Sequence, residues 1–145
     1  MSNLIIFFLT IFAGITASIQ PSVNGRLAQK IGILESSLVS FVVGSLALLI
    51  IVLGSGPGNM KGLVHANWWE LSGGLFGAFF VCSTIIAVPK IGTGATMAAL
   101  ILSQLITGII LDHFGLFGFS RISIDIKRLV GVLFLIIGAI MIVKT

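Results

Sequence analysis

Long apolar stretches alternate with short polar segments along the whole chain. The first uncharged stretch runs from Leu4 to Gly25, and four more follow it. A helix needs about 20 apolar residues to cross the hydrocarbon core of a bilayer, because each residue advances the helix by about 1.5 Å. The pattern therefore predicts five transmembrane helices, at about residues 3–30, 34–54, 68–88, 93–112 and 125–144.

Residues at the ends of these stretches indicate where the helices begin and end. The glycine-rich segment 54–59 stops the second helix, and the pair Trp68–Trp69, typical of the membrane–water interface, opens the third. Pro89 is predicted to end the third helix, because proline removes a backbone donor. Segment 114–119 is too short and glycine-rich to cross, so it is predicted to be an interfacial loop. The last apolar run is the shortest, and three basic residues are placed to extend it to both interfaces: Lys127, Arg128 and Lys144.

The composition supports a membrane protein. Of the 145 residues, 57% are hydrophobic and only 8% are charged, whereas a soluble domain carries about 25% charged residues. We therefore predict an all-α integral membrane fold with a single transmembrane domain over residues 1–145. The one cysteine, Cys82, excludes a disulfide framework and a cysteine-based zinc site, so neither a metal nor a cofactor is expected. The basic residues are too scattered to form a nucleic-acid-binding patch.

The first helix carries polar residues at a depth where lipid offers no hydrogen-bond partner. Thr16, Gln20 and Asn24 recur every four residues and therefore form one stripe, with Ser18 beside it. Pro21 removes a backbone donor within the stripe and is a predicted hinge. Such residues must face protein or a water-filled cavity, so we predict that Gln20, Asn24 and Ser18 line a substrate cavity. Hydrogen bonding between helices explains the two amides equally well.

Further polar positions lie in and beside the third and fourth helices. Ser83, Gln104 and Thr107 are predicted to contribute to the same substrate cavity, although Gln104 is also suited to bonding one helix to another. Hydroxyl groups in helices commonly bond back to carbonyls of their own helix. Asp112 and His113 are neighbouring titratable residues beside a membrane segment, and they are candidates for proton coupling. A headgroup-facing interface pair is the competing interpretation, because buried charge is costly.

Small residues mark possible helix contacts. Gly73 and Gly77 have the GxxxG spacing that lets another helix approach closely. Gly131 and Gly138, seven residues apart, share one face of the last helix, so all four glycines are predicted packing or dimerisation positions. Pro89 is a second candidate hinge.

Basic residues do not favour either orientation in the membrane. With five crossings, the side that holds the N-terminus carries four basic residues, and so does the opposite side. The first set is Lys61, Arg121, Lys127 and Arg128, and the second is Arg26, Lys30, Lys90 and Lys144. The rule that basic loops stay cytoplasmic therefore gives no preference. The balance is accidental, or the chain inserts both ways and pairs with an inverted copy of itself.

Four sequence blocks carry a resemblance to a known family: Gln20–Gly25, Pro89–Gly92, Gln104 and Leu111–Gly118. Together they resemble the five-helix YdcZ-like branch of the drug/metabolite transporter superfamily over nearly the whole chain. The resemblance implies a multi-pass protein of the bacterial inner (cytoplasmic) membrane. It also implies that the five helices form half of a ten-helix transporter made of two inverted repeats. An antiparallel homodimer would rebuild that assembly.

A shorter likeness comes from the last helix. The segment Gly131–Ala139 is similar to the glycine-spaced segment through which small multidrug resistance exporters dimerise. Those exporters carry an essential glutamate in the middle of their first helix. No acidic residue lies between Leu4 and Gly25 here, so that cation–proton antiport mechanism is not predicted.

These features predict a membrane exporter of small organic metabolites or toxic compounds. It would act as a dual-topology, antiparallel homodimer by alternating access, and the direction of transport rests on the resemblance. The alternatives are a non-transporting membrane subunit and half of a heteromeric transporter that needs a paralogous partner. An enzyme is not expected, because no nucleophile–base pair, metal-ligand set or carboxylate pair has reactive spacing.

Overall fold

The structure is a computed structural model that describes residues 2–56 and 58–143. Every regular element in these two ranges is helical. Five long helices are apolar enough to cross a membrane, the third of them with its opening 3₁₀ turns. They are α1 Asn3–Ile31, α2 Ile33–Gly54, α3 Gly73–Ile91, α4 Thr93–Phe114 and α5 Ile126–Val143. Short 3₁₀ helices occupy Met60–His65, Trp68–Ser72 and Leu116–Gly118.

The observed boundaries differ from the predicted ones most at α3, which begins at Gly73 after a 3₁₀ helix over Trp68–Ser72 and extends past its predicted end at residue 88. This helix continues through Pro89 and ends at Ile91. Proline is tolerated here because it costs one hydrogen bond in the last turn of the helix. The break comes at Gly92, whose φ of 82° suits glycine far better than any other residue. The predicted end of the last helix, at Lys144, lies outside the described residues.

Gly32 has the corresponding position between α1 and α2. Its φ is 102°, and it is the one residue between the two helices. A residue with a side chain would be strained in this conformation. Pro21, by contrast, interrupts nothing, since α1 is one continuous helix from Asn3 to Ile31.

The chain groups into two compact units, Met1–Lys90 and Ile91–Thr145. In the first unit the main packing is α1 against α2, and in the second it is α4 against α5. The predicted single domain over residues 1–145 stays a prediction.

The distribution of buried residues is the reverse of that in a soluble protein. Among the described residues, the buried hydrophobic side chains are Val81 and Ile85. The buried polar side chains are Asn24, Ser36, Ser37, Thr84 and Thr96. Apolar residues cover the outside of the helices instead, as expected where lipid takes the place of a core. Polar contacts between helices therefore position the candidate site.

Candidate functional site

Asn24 joins α1 to α2 through two serines. Its side chain is 6% exposed, and its Nδ2 donates to Ser40 Oγ at 3.1 Å. The hydroxyl of Ser36, which is 0% exposed, donates to the Asn24 carbonyl oxygen at 2.8 Å. The bond from Ser36 is buried inside the protein, and the bond to Ser40 is partly buried. The contacts of Asn24 in this structure are those of a helix-packing residue, and its predicted contact with substrate stays a prediction.

Smaller contacts attach α3 to α2. Cys82 Sγ donates to Ser37 Oγ at 3.1 Å, which ties α3 to α2. Gly77 lies against the Phe41 ring, because a Cβ at this glycine would be 3.3 Å from Phe41 Cζ. Of the predicted GxxxG pair, Gly77 thus packs within the chain.

Gln20 opens onto a groove between α1 and α2. The groove has a volume of about 210 Å³ and is lined by Gln20, Ser40, Phe41, Gly44, Ser45 and Leu48. Within the described part of the chain, neither the Gln20 amide nor the Ser45 hydroxyl has a hydrogen-bond partner. We call this surface the amide–hydroxyl groove.

The predicted polar stripe of α1 is therefore divided among three environments. Thr16 bonds to the carbonyl of Ala13 at 2.8 Å, so its hydroxyl is satisfied by its own helix. Ser18 does the same with the carbonyl of Gly14, at 2.9 Å. Gln20 faces the groove and Asn24 is buried in the helix contact. Residues on one face of a helix therefore have different surroundings along its length.

The second unit carries a separate groove between α4 and α5. Its volume is about 410 Å³, and polar groups lie along it from Gln104 to Asp112 and Arg128. Gly108 and Gly131 form part of its floor. We call this surface the ion-pair groove.

An ion pair lies at one end of this groove. Arg128 Nη1 is 3.2 Å from Asp112 Oδ2, and the two side chains are 30% and 43% exposed. Asp125 Oδ1 accepts from the backbone N–H of Arg128 at 2.8 Å and so caps the start of α5. The pair therefore holds the end of α4 beside the beginning of α5.

His113 and the backbone of Asp112 hold the connector that leads to α5. The N–H of Ile122 donates to the Asp112 carbonyl at 2.9 Å, and Arg121 Nε donates to the His113 carbonyl at 2.8 Å. The N–H of Ile124 donates to His113 Nδ1 at 3.3 Å. These contacts give Asp112 and His113 a structural role in holding the connector. Their predicted role in proton coupling stays a prediction.

The remaining predicted positions lie outside these bonded clusters. Ser83 is half-buried and Thr107 is exposed on α4. Apart from the adjoining backbone of the same helix, no heavy atom lies within 4 Å of the position a Cβ would take on three predicted packing glycines, Gly73, Gly131 and Gly138. Each therefore has room for a close approach, and at Gly131 this room belongs to the ion-pair groove.

Sequence reasoning missed four residues that the structure brings into the sites. Ser36 and Ser40 are spaced four apart on α2, and this spacing could have indicated a polar face directed at α1. Ser45 lacks such a signal, because serine alone in an apolar helix usually bonds to its own backbone. Arg128 was predicted to reach the interface. Its pairing with Asp112 could not be predicted, because it depends on how α4 and α5 pack together.

Nearly the whole chain matches one family of known proteins. The family described as "Putative inner membrane exporter, YdcZ" matches residues 5–141, a span that includes both grooves. The chain belongs to this family. It is 33% identical over 135 residues to "Inner membrane protein YdcZ" of Escherichia coli (strain K12), a match that covers 89% of this chain and 88% of that protein. No solved structure matches the chain significantly.

Family membership confirms the resemblance that the four sequence blocks indicated. The chain is a multi-pass inner membrane protein of a transporter family, not a member of an enzyme family. Among the described residues, no three histidine, cysteine or acidic side chains are grouped so that they could hold a metal ion.

Proposed function

We propose that this chain is an exporter of small organic molecules and acts as an antiparallel homodimer by alternating access. Two inverted copies would form the ten-helix inverted-repeat assembly, with five helices from each copy. The family supports export across the inner membrane.

The observation that carries the proposal is the placement of two glutamines in open grooves at membrane depth. Gln20 lies five residues, about 8 Å of helix, inside the end of the uncharged stretch of α1. Gln104 lies near the middle of α4. In the described structure neither amide is bonded within the chain, and lipid cannot bond them. A substrate or the second copy would supply the missing hydrogen bonds.

Each glutamine would bind the substrate from its own groove, Gln20 in the first unit and Gln104 in the second. Ser18, Ser83 and Thr107 are further candidates for contact with the molecule that is carried. Asn24 would act there only if its bond to Ser40 opened. Transporters commonly bind their substrates near the bilayer midplane, at the interface between repeats.

The balanced charges support the antiparallel arrangement. With four basic residues on each side, both orientations of the chain are equally acceptable to the insertion machinery. Gly131 and Gly138 leave room on one face of α5 for a second copy, which at Gly131 would enter the ion-pair groove. Pro21 and Pro89 would act as hinges while the two copies exchange inward- and outward-facing conformations.

Topology reporters test this proposal directly. One reporter, active only in the cytoplasm, and another, active only outside it, are fused after Thr145 in two separate fusion proteins. We expect both to be active, because the chain inserts in both orientations. Activity of one reporter alone would overturn the antiparallel homodimer in favour of a parallel assembly or of a heteromer with a paralogue.

A matched variant checks that charge determines the result. Met60 and Val64 are 73% and 85% exposed in the loop between α2 and α3. Changing both to lysine adds two positive charges to the side that holds the N-terminus. We expect this variant to keep that side cytoplasmic, so that only the external reporter at the C-terminus is active. A variant that still activates both reporters equally would show that charge balance does not control orientation.

A further inference from the structure

The amide–hydroxyl groove has a chemical character that narrows the class of molecule it can hold. Its volume of about 210 Å³ is below the roughly 300–1,000 Å³ of sites for drug-sized ligands. It therefore has room for one small ring or a short polar group. Ser45 is near the middle of α2, about 18 Å along the helix from Ile33 at 1.5 Å per residue. The groove is thus at hydrocarbon depth.

Three side chains supply hydrogen bonds to the groove. The Gln20 amide has both donor and acceptor groups, and the Ser45 hydroxyl can act as either. Ser40 Oγ accepts a bond from the buried Asn24, which leaves the proton of the Ser40 hydroxyl available for donation. The groove therefore offers donors and acceptors together, and all of them are neutral.

The other walls of the groove are apolar. Phe41 and Leu48 line it beside the polar groups, and Gly44 provides room because it has no side chain. A charged molecule at this depth requires an opposite charge to offset its desolvation. Amide and hydroxyl groups do not provide one. An uncharged molecule with a ring and a hydrogen-bonding group loses far less solvation free energy when it enters the groove.

We infer that the groove formed by Gln20, Ser40 and Ser45 is a binding subsite for uncharged polar molecules of the carboxamide or alcohol class, and that Ser45 contacts the ligand directly. This inference rests on the proposed transport function, and it specifies the substrate class. It assigns a binding role to two serines of α2 that sequence reasoning did not select.

Three probes of nearly identical shape test the inference: benzamide, benzamidinium and benzoate, which are neutral, cationic and anionic at pH 7. Their binding to the full-length wild-type protein in lipid nanodiscs is measured by ligand-detected NMR, after subtraction of the signal from protein-free nanodiscs. We expect benzamide to bind at least tenfold more tightly than either charged probe. Equal or tighter binding of a charged probe, or no binding of benzamide, would overturn the inference.

Variants locate the binding. Ser45→Ala and Gln20→Ala are each expected to weaken benzamide binding about two- to tenfold, the effect of one neutral hydrogen bond. The control is Ser55→Ala, the same change ten residues along the chain at the end of α2, where the hydroxyl bonds to the Ile51 carbonyl at 2.6 Å. The inference fails if neither groove variant binds benzamide more weakly than the control does.

The probe-binding and reporter experiments together distinguish failure of this inference from failure of the proposed function. One-sided insertion in the reporter experiment would overturn the antiparallel homodimer without changing the order of probe affinities. Two-sided insertion together with a preference for benzamidinium or benzoate would overturn only the substrate class.

Discussion

The two grooves differ in the polar groups that line them, and this difference follows position along the helices. The amide–hydroxyl groove in the first unit has only neutral polar groups, and Ser45 lies near the middle of α2. The ion-pair groove in the second unit begins with a neutral glutamine near the middle of α4 and ends with Asp112 and Arg128, where α4 ends and α5 begins. Charges occur where headgroups and water are near, and amides and hydroxyls occur at depth.

The two units also differ in how deeply their polar contacts are buried. The first unit encloses a polar contact around Asn24, which is satisfied by Ser36 and Ser40. In the second unit, the polar contacts of Asp112 and Arg128 remain partly exposed. Hydrogen bonds inside a membrane protein are not weakened by water, whereas an ion pair at the interface is screened by it. We therefore expect substitutions in the first unit to have the larger effects.

The largest effect is expected from a charge placed in the amide–hydroxyl groove. Gln20→Glu keeps the size of the side chain and introduces a carboxyl group at hydrocarbon depth. We expect a loss of about 2–3 kcal/mol in the free energy of unfolding, because the bilayer offers an anion no solvation. Thermal or chemical unfolding in nanodiscs measures it.

The control is the same change nearer the interface. Gln29 is exposed close to the end of α1, and its Oε1 accepts from Arg26 Nη1 at 3.3 Å. Gln29→Glu is expected to leave stability nearly unchanged. Similar losses in the two variants would show that depth does not separate the two kinds of groove.

A smaller effect is expected from removing the buried amide. Asn24→Ala deletes the donor to Ser40 and leaves a small gap between α1 and α2. We expect a loss of about 1–2 kcal/mol in unfolding free energy, at the upper end of measured interhelical hydrogen bonds. The matched control is Thr10→Ala on the exposed part of the same helix, where the hydroxyl bonds only to the Ile6 carbonyl.

Alanine substitutions at Asn24 and Gln20 also distinguish a helix-packing role from a transport role. We expect Gln20→Ala to reduce transport at least tenfold while the amount of folded protein is unchanged. Asn24→Ala should instead lower the amount of folded protein. The distinction between the buried contact and the groove would be lost if the two variants lowered folded protein equally.

The smallest effect on stability is expected from the ion pair. Asp112→Asn removes the charge that faces Arg128, and because both side chains are partly exposed we expect a loss of no more than about 1 kcal/mol. Added salt should reduce the difference from wild type, since ions screen an exposed pair. Unfolding at low and high ionic strength measures it, and a loss that salt does not alter would contradict an interface ion pair.

The same variant tests the proposed coupling role. If Asp112 carries protons during transport, Asp112→Asn abolishes proton movement coupled to substrate even though the protein remains folded. Normal proton movement in a folded variant would leave Asp112 with its structural role beside Arg128.

Much of this protein was predictable from the order of its residues. Five apolar stretches of sufficient length determine five helices, because a bilayer requires each crossing segment to satisfy its own backbone. The four sequence blocks, the first of which is Gln20–Gly25, indicate the family, and the family match covers residues 5–141. The depth of Gln20 and Gln104 also follows from sequence, since helical rise converts residue number into distance.

The tertiary structure decided what lies opposite each helix face. Periodicity placed Thr16, Gln20 and Asn24 on one stripe, yet only the packing of α2 against α1 buries Asn24 and leaves Gln20 in a groove. The same holds for the glycines, where Gly77 meets Phe41 and Gly73 stays open. The pairing of Asp112 with Arg128 likewise depends on the connector that brings α5 beside α4. Helical geometry fixes which residues share a face, whereas the neighbour of that face depends on contacts between segments distant in the chain.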